Sequence, residues 1–465
     1  MKKESILKKI FWNGTLILDA PLLIGSGHGS EDATKDIEIL TDGSGVPYIP
    51  GTSIAGVLRA FAKKQDRATV CDLFGTEADE QGRGRDLQSA ILLDDVKLSH
   101  ARITLRDGVS IDGVTGTAIP HHKYDYEAVA KGARGTFSAE ITLRGIHLQN
   151  TDAIERLLRD LRHYLVGGFQ LGALTAKGFG RVHVLPLTVD IYDFQNPADV
   201  RAYLSPERQS ASRHERYEAA EPRRYADTDM EIDADFALKS SLIVRDYDAA
   251  TEEATDDGTT IHAVMKKDEN GNYLIPGTSL KGVLRHHAAH LLHVLGKAPQ
   301  TLEAVMGPDT RAMQQPGAKP WKSRFHVDEA TLKDGVKLAK QTRNRIDRFT
   351  GGTIDSALFT TSALFQKTPH EATLHLHFGI ADATPADAGL ALLLLKDLWL
   401  GRVALGGETS IGRGTLEGRS ATISFEGKTE TIQAGTPVAK EIAARWQGCV
   451  DALASTPENI KEADA

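Results

Sequence analysis

The side chains with the clearest chemistry in this chain are cations placed among glycines. Lys340 to Arg348, KQTRNRIDR, carries four basic residues in nine, and Arg181, Arg402 and Arg413 lie in or beside two glycine-spaced segments. Those segments are Gly168 to Gly180, GFQLGALTAKGFG, and Arg402 to Gly414, RVALGGETSIGRG. Guanidinium and ammonium groups bind phosphate oxygens without discriminating bases. Backbone amides in Gly-rich turns and at helix N-termini add donors that are equally indifferent to sequence. A run of charges is also what a solvated face looks like, and glycines also serve plain tight turns. The net charge of -8 excludes a chain that is basic throughout, yet leaves room for a groove lined by local basic segments.

The elements that must position these groups occur twice. Ile49 to Arg59, IPGTSIAGVLR, returns as Ile275 to Arg285, IPGTSLKGVLR, identical at nine of eleven positions. Ser110 to Gly116, SIDGVTG, is answered by Arg345 to Gly351, RIDRFTG, and the two glycine-spaced segments answer each other. Offsets of 226, 235 and 234 residues differ only by loop insertions, so the chain is an internal duplication. Its 465 residues divide into a first domain over 1–195, a linker over 196–230, a second domain over 231–427 and a tail over 428–465 with one helix. Each domain is long enough to bury its own core.

Composition is that of an ordinary globular protein, with 41% apolar and 25% charged residues and no apolar run of membrane-spanning length. The N-terminal MKKESILKKIFWNGTLILDA faintly resembles a signal peptide, but Asn13 and Asp19 interrupt it and its alternation fits a first strand. We therefore expect a cytoplasmic protein with no membrane contact. Cys71 and Cys449 stand apart, and no CxxC or His/Cys spacing suggests zinc.

Within the first copy, Thr15 to Ile24 reads as a strand, Gly25 to Ser30, GSGHGS, as a loop, and Pro50-Gly51 as a turn into a helix over Ile54 to Lys64, with Thr52 or Ser53 as its N-cap. Strands follow at Ala90 to Leu93 and Phe137 to Leu143, a helix at Ala153 to Leu165, and a strand from Arg181 to Asp190. The second copy repeats this with strands at Phe236 to Arg245 and Ala372 to Phe378, helices at Leu280 to Leu295 and Pro385 to Leu400, and a tail helix at Val438 to Leu453. The expected class is α+β: two tandem ferredoxin-like or RNA-recognition-like domains.

The glycine loop, the paired IPGTS helix starts, RIDRFTG and the late GxG turns together resemble the RAMP superfamily, specifically the backbone subunits of type III CRISPR effector complexes. Over residues 12 to 425 the tandem arrangement is similar to the double-unit backbone subunit of subtype III-D. The resemblance implies a cytoplasmic subunit that binds CRISPR guide RNA and complementary target RNA and assembles with other type III effector subunits. It also implies RAMP domains with thumb-like hairpin insertions, here at Ala118 to Gly135 and Gly352 to Ala363. RNA would meet Gly25, Gly27 and His28 of the glycine loop, and Ser53, Arg59, Lys281 and Arg285 at the two helix starts. It would also meet Lys123 and Tyr124 of the first thumb, Gly178, Gly180, Gly412, Arg413 and Gly414 of the late turns, and Arg343, Arg345 and Arg348. His121, His122 and Tyr126 have the types that contact phosphate or stack on bases.

In members of this family that cut target RNA, a loop Asp supports metal-dependent attack of a ribose 2′-OH on the adjacent phosphate. Asp36, six residues before Asp42, matches that position and is the expected ligand of a divalent ion, Mg2+ or Mn2+. Glu31, Asp32 and Glu38 stand near it. The second copy departs from the pattern, since six residues before Asp268 stands His262; Asp256 and Asp257 upstream are the alternative carboxylates, with His262 an acid/base or a spacer. Asp112 and Asp347 are expected to order the thumb base, and Asp94 and Asp328 to be structural. A cutting backbone subunit, a non-catalytic guide scaffold and a guide-precursor processing RNase centred on His28 remain open as alternatives.

Overall fold

The structure is a computed structural model, and it describes residues 3–27, 36–76, 87–113, 115–205, 211–218, 229–246, 261–308, 321–332, 334–355, 357–368 and 372–457. The chain divides into two compact units. The first comprises Met1–Ser110, Ala118–Thr175 and Phe179–Arg224, and the second comprises Ile111–Thr117, Ala176–Gly178 and Tyr225–Ala465.

The first unit begins with β1 (Ile6–Leu18), β2 (Tyr48–Ile49), α1 (Gly51–Gln65) and α2 (Arg67–Phe74). Strands β3 (Ile91–Leu93), β4 (Val96–Ser99), β5 (Ile103–Ile111), β6 (Ala118–Val129) and β7 (Arg134–Arg144) follow. Next come α3 (Thr151–Gly167), β8 (Phe169–Gln170), β9 (Arg181–Asp193), α4 (Pro197–Leu204) and β10 (Arg213–Tyr217). The main sheet runs β10-β9-β1-β7-β4-β2, while β5 and β6 pair as a separate hairpin. Ile10, Trp12, Leu16 and Leu18 of β1 bury against Ile54 and Leu58 of α1 and Ile154, Leu158 and Leu161 of α3. Alternate strand residues meet helix residues spaced three and four apart, so one sheet face is covered.

The second unit opens with β11 (Met230–Leu238), β12 (Ser241–Leu242), β13 (Arg245–Asp246), β14 (Ile261–Met265) and β15 (Tyr273–Ile275). It continues through α5 (Gly277–Val294), α6 (Pro299–Met306), β16 (Phe325–Val327), β17 (Ala330–Leu332), β18 (Val336–Arg343) and β19 (Phe359–Gln366). It closes with β20 (Thr373–Ile380), α7 (Pro385–Trp399), β21 (Leu416–Phe425), β22 (Lys428–Gln433) and α8 (Lys440–Ala454). A five-stranded sheet has the order β16-β20-β11-β21-β22, and a second sheet has β12-β19-β14-β13 with β18 against β19. Ile232, Ala234 and Phe236 of β11 pack with Leu280 and Leu284 of α5 and Leu394 and Leu398 of α7.

The first strand of each copy starts earlier than its sequence suggests. β1 ends at Leu18, whereas the sequence pattern runs from Thr15 to Ile24, and β11 ends at Leu238 rather than Arg245. Leu22 and Leu23 are buried beyond the end of β1, where Leu22 makes only an isolated bridge to Val129, so the apolar run there marks core and not a continued strand. Neither Thr52 nor Ser53 caps α1. Pro50 holds the N-cap position, and the first helical amide, Gly51, donates to Asp95 Oδ1 at 2.8 Å. The segment expected as linker contributes α4 and β10, the latter pairing with β9. In the expected tail, β22 pairs with β21 and α8 packs on α7. Among the described residues no helix is long and apolar enough to cross a membrane.

Candidate functional site

In the first unit the loop carrying Asp36 is fastened to the hairpin strand β6. The Asp36 amide donates to the Asp125 carbonyl at 3.1 Å, the Asp125 amide donates back to Asp36 Oδ2 at 2.8 Å, and Ile37 bridges Tyr126 in parallel. The second unit repeats the arrangement with a different side chain. β14 runs parallel to β19 with Ile261 opposite Thr360, and the Thr360 amide donates to His262 Nδ1 at 3.2 Å. Both residues are exposed and both accept a backbone N–H from the facing strand. Asp36 keeps a second carboxylate oxygen that can meet a cation, while a neutral imidazole accepting at Nδ1 carries its proton on Nε2 and is a donor. The two positions share geometry and differ in chemistry.

The downstream aspartates are loop organisers. Asp42 accepts from the Ser44 and Val46 amides and from Lys97 Nζ, and the Lys97 bond holds its carboxyl down to about 2. Asp268 accepts from the Asn270 and Asn272 amides. Asp112 accepts from the Thr115 amide, and Asp347 from the amides of Phe349 and Thr350, so each fixes the base of its loop. Asp94 and Asp328 are equivalent through their backbones, donating to the carbonyls of Ser138 and His377.

Several residues expected at RNA are committed within the fold. Arg59 donates to the carbonyls of Phe74 and Gly75, and Arg285 does the same for Met306 and Gly307, each closing the end of the helix that follows. Lys281 is buried; its Nζ donates to Ser323 Oγ at 2.8 Å and the Phe325 carbonyl at 3.0 Å, and burial among neighbouring cations pulls it down to about 7. The Ser53 amide turns back to the Pro50 carbonyl. Gly180 and Gly414 have φ of 76° and 77°, and a Cβ on either would overlap the carbonyl oxygen of Leu171 or Leu405. Their amides donate to the Pro21 and Ser241 carbonyls, and that of Gly412 to Thr409, so these donors are spent on the turn and not offered to phosphate. Gly178 also has positive φ, as does Gly27, while Gly25 bridges Ile39.

The late turn is lined differently in the two copies. Leu174 and Glu408 share the same left-handed φ of 57°. In the first unit, Phe179 beside this turn packs 6.1 Å from the Tyr126 ring. In the second, Glu408 accepts from Arg413 Nε at 2.8 Å, Arg343 Nη1 at 3.0 Å and Arg245 Nη2 at 3.3 Å, and Arg413 is buried and donates to Ser241 Oγ. Burial works against charge on Glu408, yet the bonds from Arg413 and Arg343 hold its carboxyl below the usual range. Arg343 and Arg413 are therefore occupied with Glu408, whereas Arg345 and Arg348 are exposed next to Phe349, which is 93% exposed. Tyr124 lies over Gly108 and stacks 5.9 Å from Tyr126, with burial pushing its hydroxyl up; Lys123 is exposed, 3.6 Å from Asp125.

His28, Asp256 and Asp257 lie outside the described residues. The sequence held no zinc-like spacing, yet three strands bring Glu231, His326 and His377 together. Their signal was the alternation of Glu231, Asp233 and Asp235 on one strand and of His375 and His377 on another, which puts each set on a single face. Comparison with known proteins gives one family: the RAMP superfamily model matches residues 15–183 and again residues 257–417. A search of curated proteins found no match.

Proposed function

Because the chain belongs to the RAMP superfamily, whose members act in CRISPR RNA–protein complexes, we propose that it is a guide-RNA-binding backbone subunit of a type III effector that also cuts complementary target RNA. It would carry two such units in one chain, as the subtype III-D double-unit subunit does, each a modified RNA-recognition core. It would work in the cytoplasm beside other effector subunits. The observation that carries this reading is the repeated fastening of a loop side chain, Asp36 or His262, to a backbone amide of the neighbouring strand. A group held that way has a fixed position from which to act on a bound strand.

In the first unit, Asp36 would orient the ribose 2′-OH for in-line attack on the adjacent phosphate. Mg2+ is commonly held by one or two carboxylates plus substrate phosphates, and an exposed carboxylate bonded through one oxygen fits an ion shared with RNA, not an all-protein cage. When bound there by Asp36, Mg2+ or Mn2+ would supply charge neutralisation at the scissile phosphate. In the second unit His262 offers no hard oxygen, which favours a scaffold role there unless Asp256 or Asp257 reaches the phosphate. Exposed Arg345, Arg348 and Lys123 would contact RNA backbone without reading sequence.

The test is a reconstituted complex given complementary RNA. Asp36→Asn should remove one cleavage product while guide and target binding persist, and EDTA should suppress the same product. An unchanged pattern in Asp36→Asn rules Asp36 out, and a wild-type complex that never cuts at this subunit establishes the scaffold. A second product lost only in Asp256→Asn/Asp257→Asn would assign those carboxylates to the second unit.

A further inference from the structure

Glu231, His326 and His377 come from three neighbouring strands of the second unit's five-stranded sheet. Their partners across the ladders explain the meeting: Gly379 of β20 stands opposite both Glu231 of β11 and His326 of β16. A Cβ at Gly379 would overlap the Glu231 carboxylate, so the glycine opens the space into which the flanking side chains lean. Phe325 and Val327 face the core, which turns His326 to the opposite face together with Glu231 and His377.

Glu231 Oε2 lies 3.1 Å from His326 Nε2 and 3.2 Å from His377 Nε2, and the three candidate donor atoms all fall within 4.8 Å of one another. Ligands about 2.0–2.1 Å from a tetrahedral ion stand roughly 3.3 Å apart, so two of the three edges nearly match. His377 Nδ1 is bonded to Asp233 Oδ1 at 2.8 Å, which orients the ring with Nε2 toward Glu231. A carboxylate behind the far nitrogen of a ligating histidine is the usual support for such a ligand. Glu231 is 3% exposed, and its Oε2 already bonds both imidazoles, so all three groups are gathered on the spot an ion would share.

We propose that Glu231, His326 and His377 form a binding site for one transition-metal dication of the Zn2+ class, with Asp233 as the orienting group and a fourth position for water. The ion clamps β16, the edge strand, to β20 and β11. The first unit is an internal contrast. At the equivalent register, Leu92 and Phe11 flank Glu140, and Ser138 stands where the second copy has His377. The clamp therefore belongs to one copy. It is separate from Asp36, whose oxygen donor suits a harder ion.

The full chain, stripped with chelator, is titrated with Zn2+ and separately with Co2+ as an optical probe. One Zn2+ per chain should bind and displace Co2+ that shows a tetrahedral visible spectrum. His326→Leu, which imports the residue of the first copy, should weaken binding at least tenfold, as should His377→Gln; Asp233→Asn should weaken it about tenfold. Asp36→Asn should leave it unchanged. Circular dichroism checks the fold, and if His377→Gln fails to fold, His326→Leu on the edge strand decides. No stoichiometric uptake by wild type, or equal uptake by His326→Leu, overturns the site.

Discussion

At position 281 the copies differ by a charge: Ala55 in the first, a buried lysine in the second. The folded state holds Lys281 near 7 against an ordinary 10.5, so between those values the unfolded chain binds more protons and stability rises with pH. Below about 7 the full cost of the buried cation is present, on the order of 3 to 5 kcal/mol. Lys281→Met should raise the melting temperature at pH 7 and flatten its rise toward pH 10, measured against wild type by calorimetry. A steeper rise in the variant would contradict this. Gly414→Ala should act the other way, since it adds a strained φ and a clash with the Leu405 carbonyl; a loss of about 2 kcal/mol or more in denaturant unfolding is expected. The glycines were visible in sequence as a repeated pattern. That their amides are already bonded was not, because their acceptors, Pro21 and Ser241, lie some 160 to 170 residues away in the chain.

Among the elements, α7 is apolar on nearly every face, the pattern of a helix covered on both sides. The cover is α8, and it comes close: a Cβ at Gly389 of α7 would overlap the Cys449 carbonyl of α8. Cys449 is buried, with its thiol pushed up by that burial, whereas Cys71 is exposed. A thiol reagent should therefore modify Cys71 quickly and Cys449 slowly, and Gly389→Leu should bring Cys449 to a rate approaching that of Cys71 by levering α8 away. Unaltered protection of Cys449 in that variant would show that α8 adjusts without leaving. The long helices were legible from spacing: α1, α3, α5, α7 and α8 fall within a few residues of expectation. The first strands were displaced because buried loop residues and buried strand residues carry the same apolar signal.

For the molecule as a whole, the duplication was legible because three segments kept both type and order. The Glu231 cluster was not, because its ligands are scattered over about 150 residues and converge only through strand pairing. The same distinction divides the basic run. Reversing Arg345 and Arg348, both exposed, should weaken RNA binding for unrelated sequences alike and reduce the salt slope by about two, read by titration at several ionic strengths. Reversing Arg343 should instead lower the melting temperature, because Glu408 would meet a second carboxylate. Equal RNA affinity in the Arg345/Arg348 variant would make that pair a solvated face.

The shared left-handed turn at Leu174 and Glu408 has a genetic consequence. A gene with two similar halves invites exchange between them, and exchange would place one copy's residue in the other's surroundings. Glu408→Leu alone leaves the buried Arg413 without its carboxylate, though still bonded to Ser241 and Gln341, and should cost about 3 to 5 kcal/mol, whereas Glu408→Leu/Arg413→Phe should recover much of that. The first copy's Leu would thus be a lesion at 408 alone and tolerable there only together with its Phe at 413. Chimeras that cross over inside this turn should therefore fold poorly, an outcome that would set a barrier to exchange between the two halves.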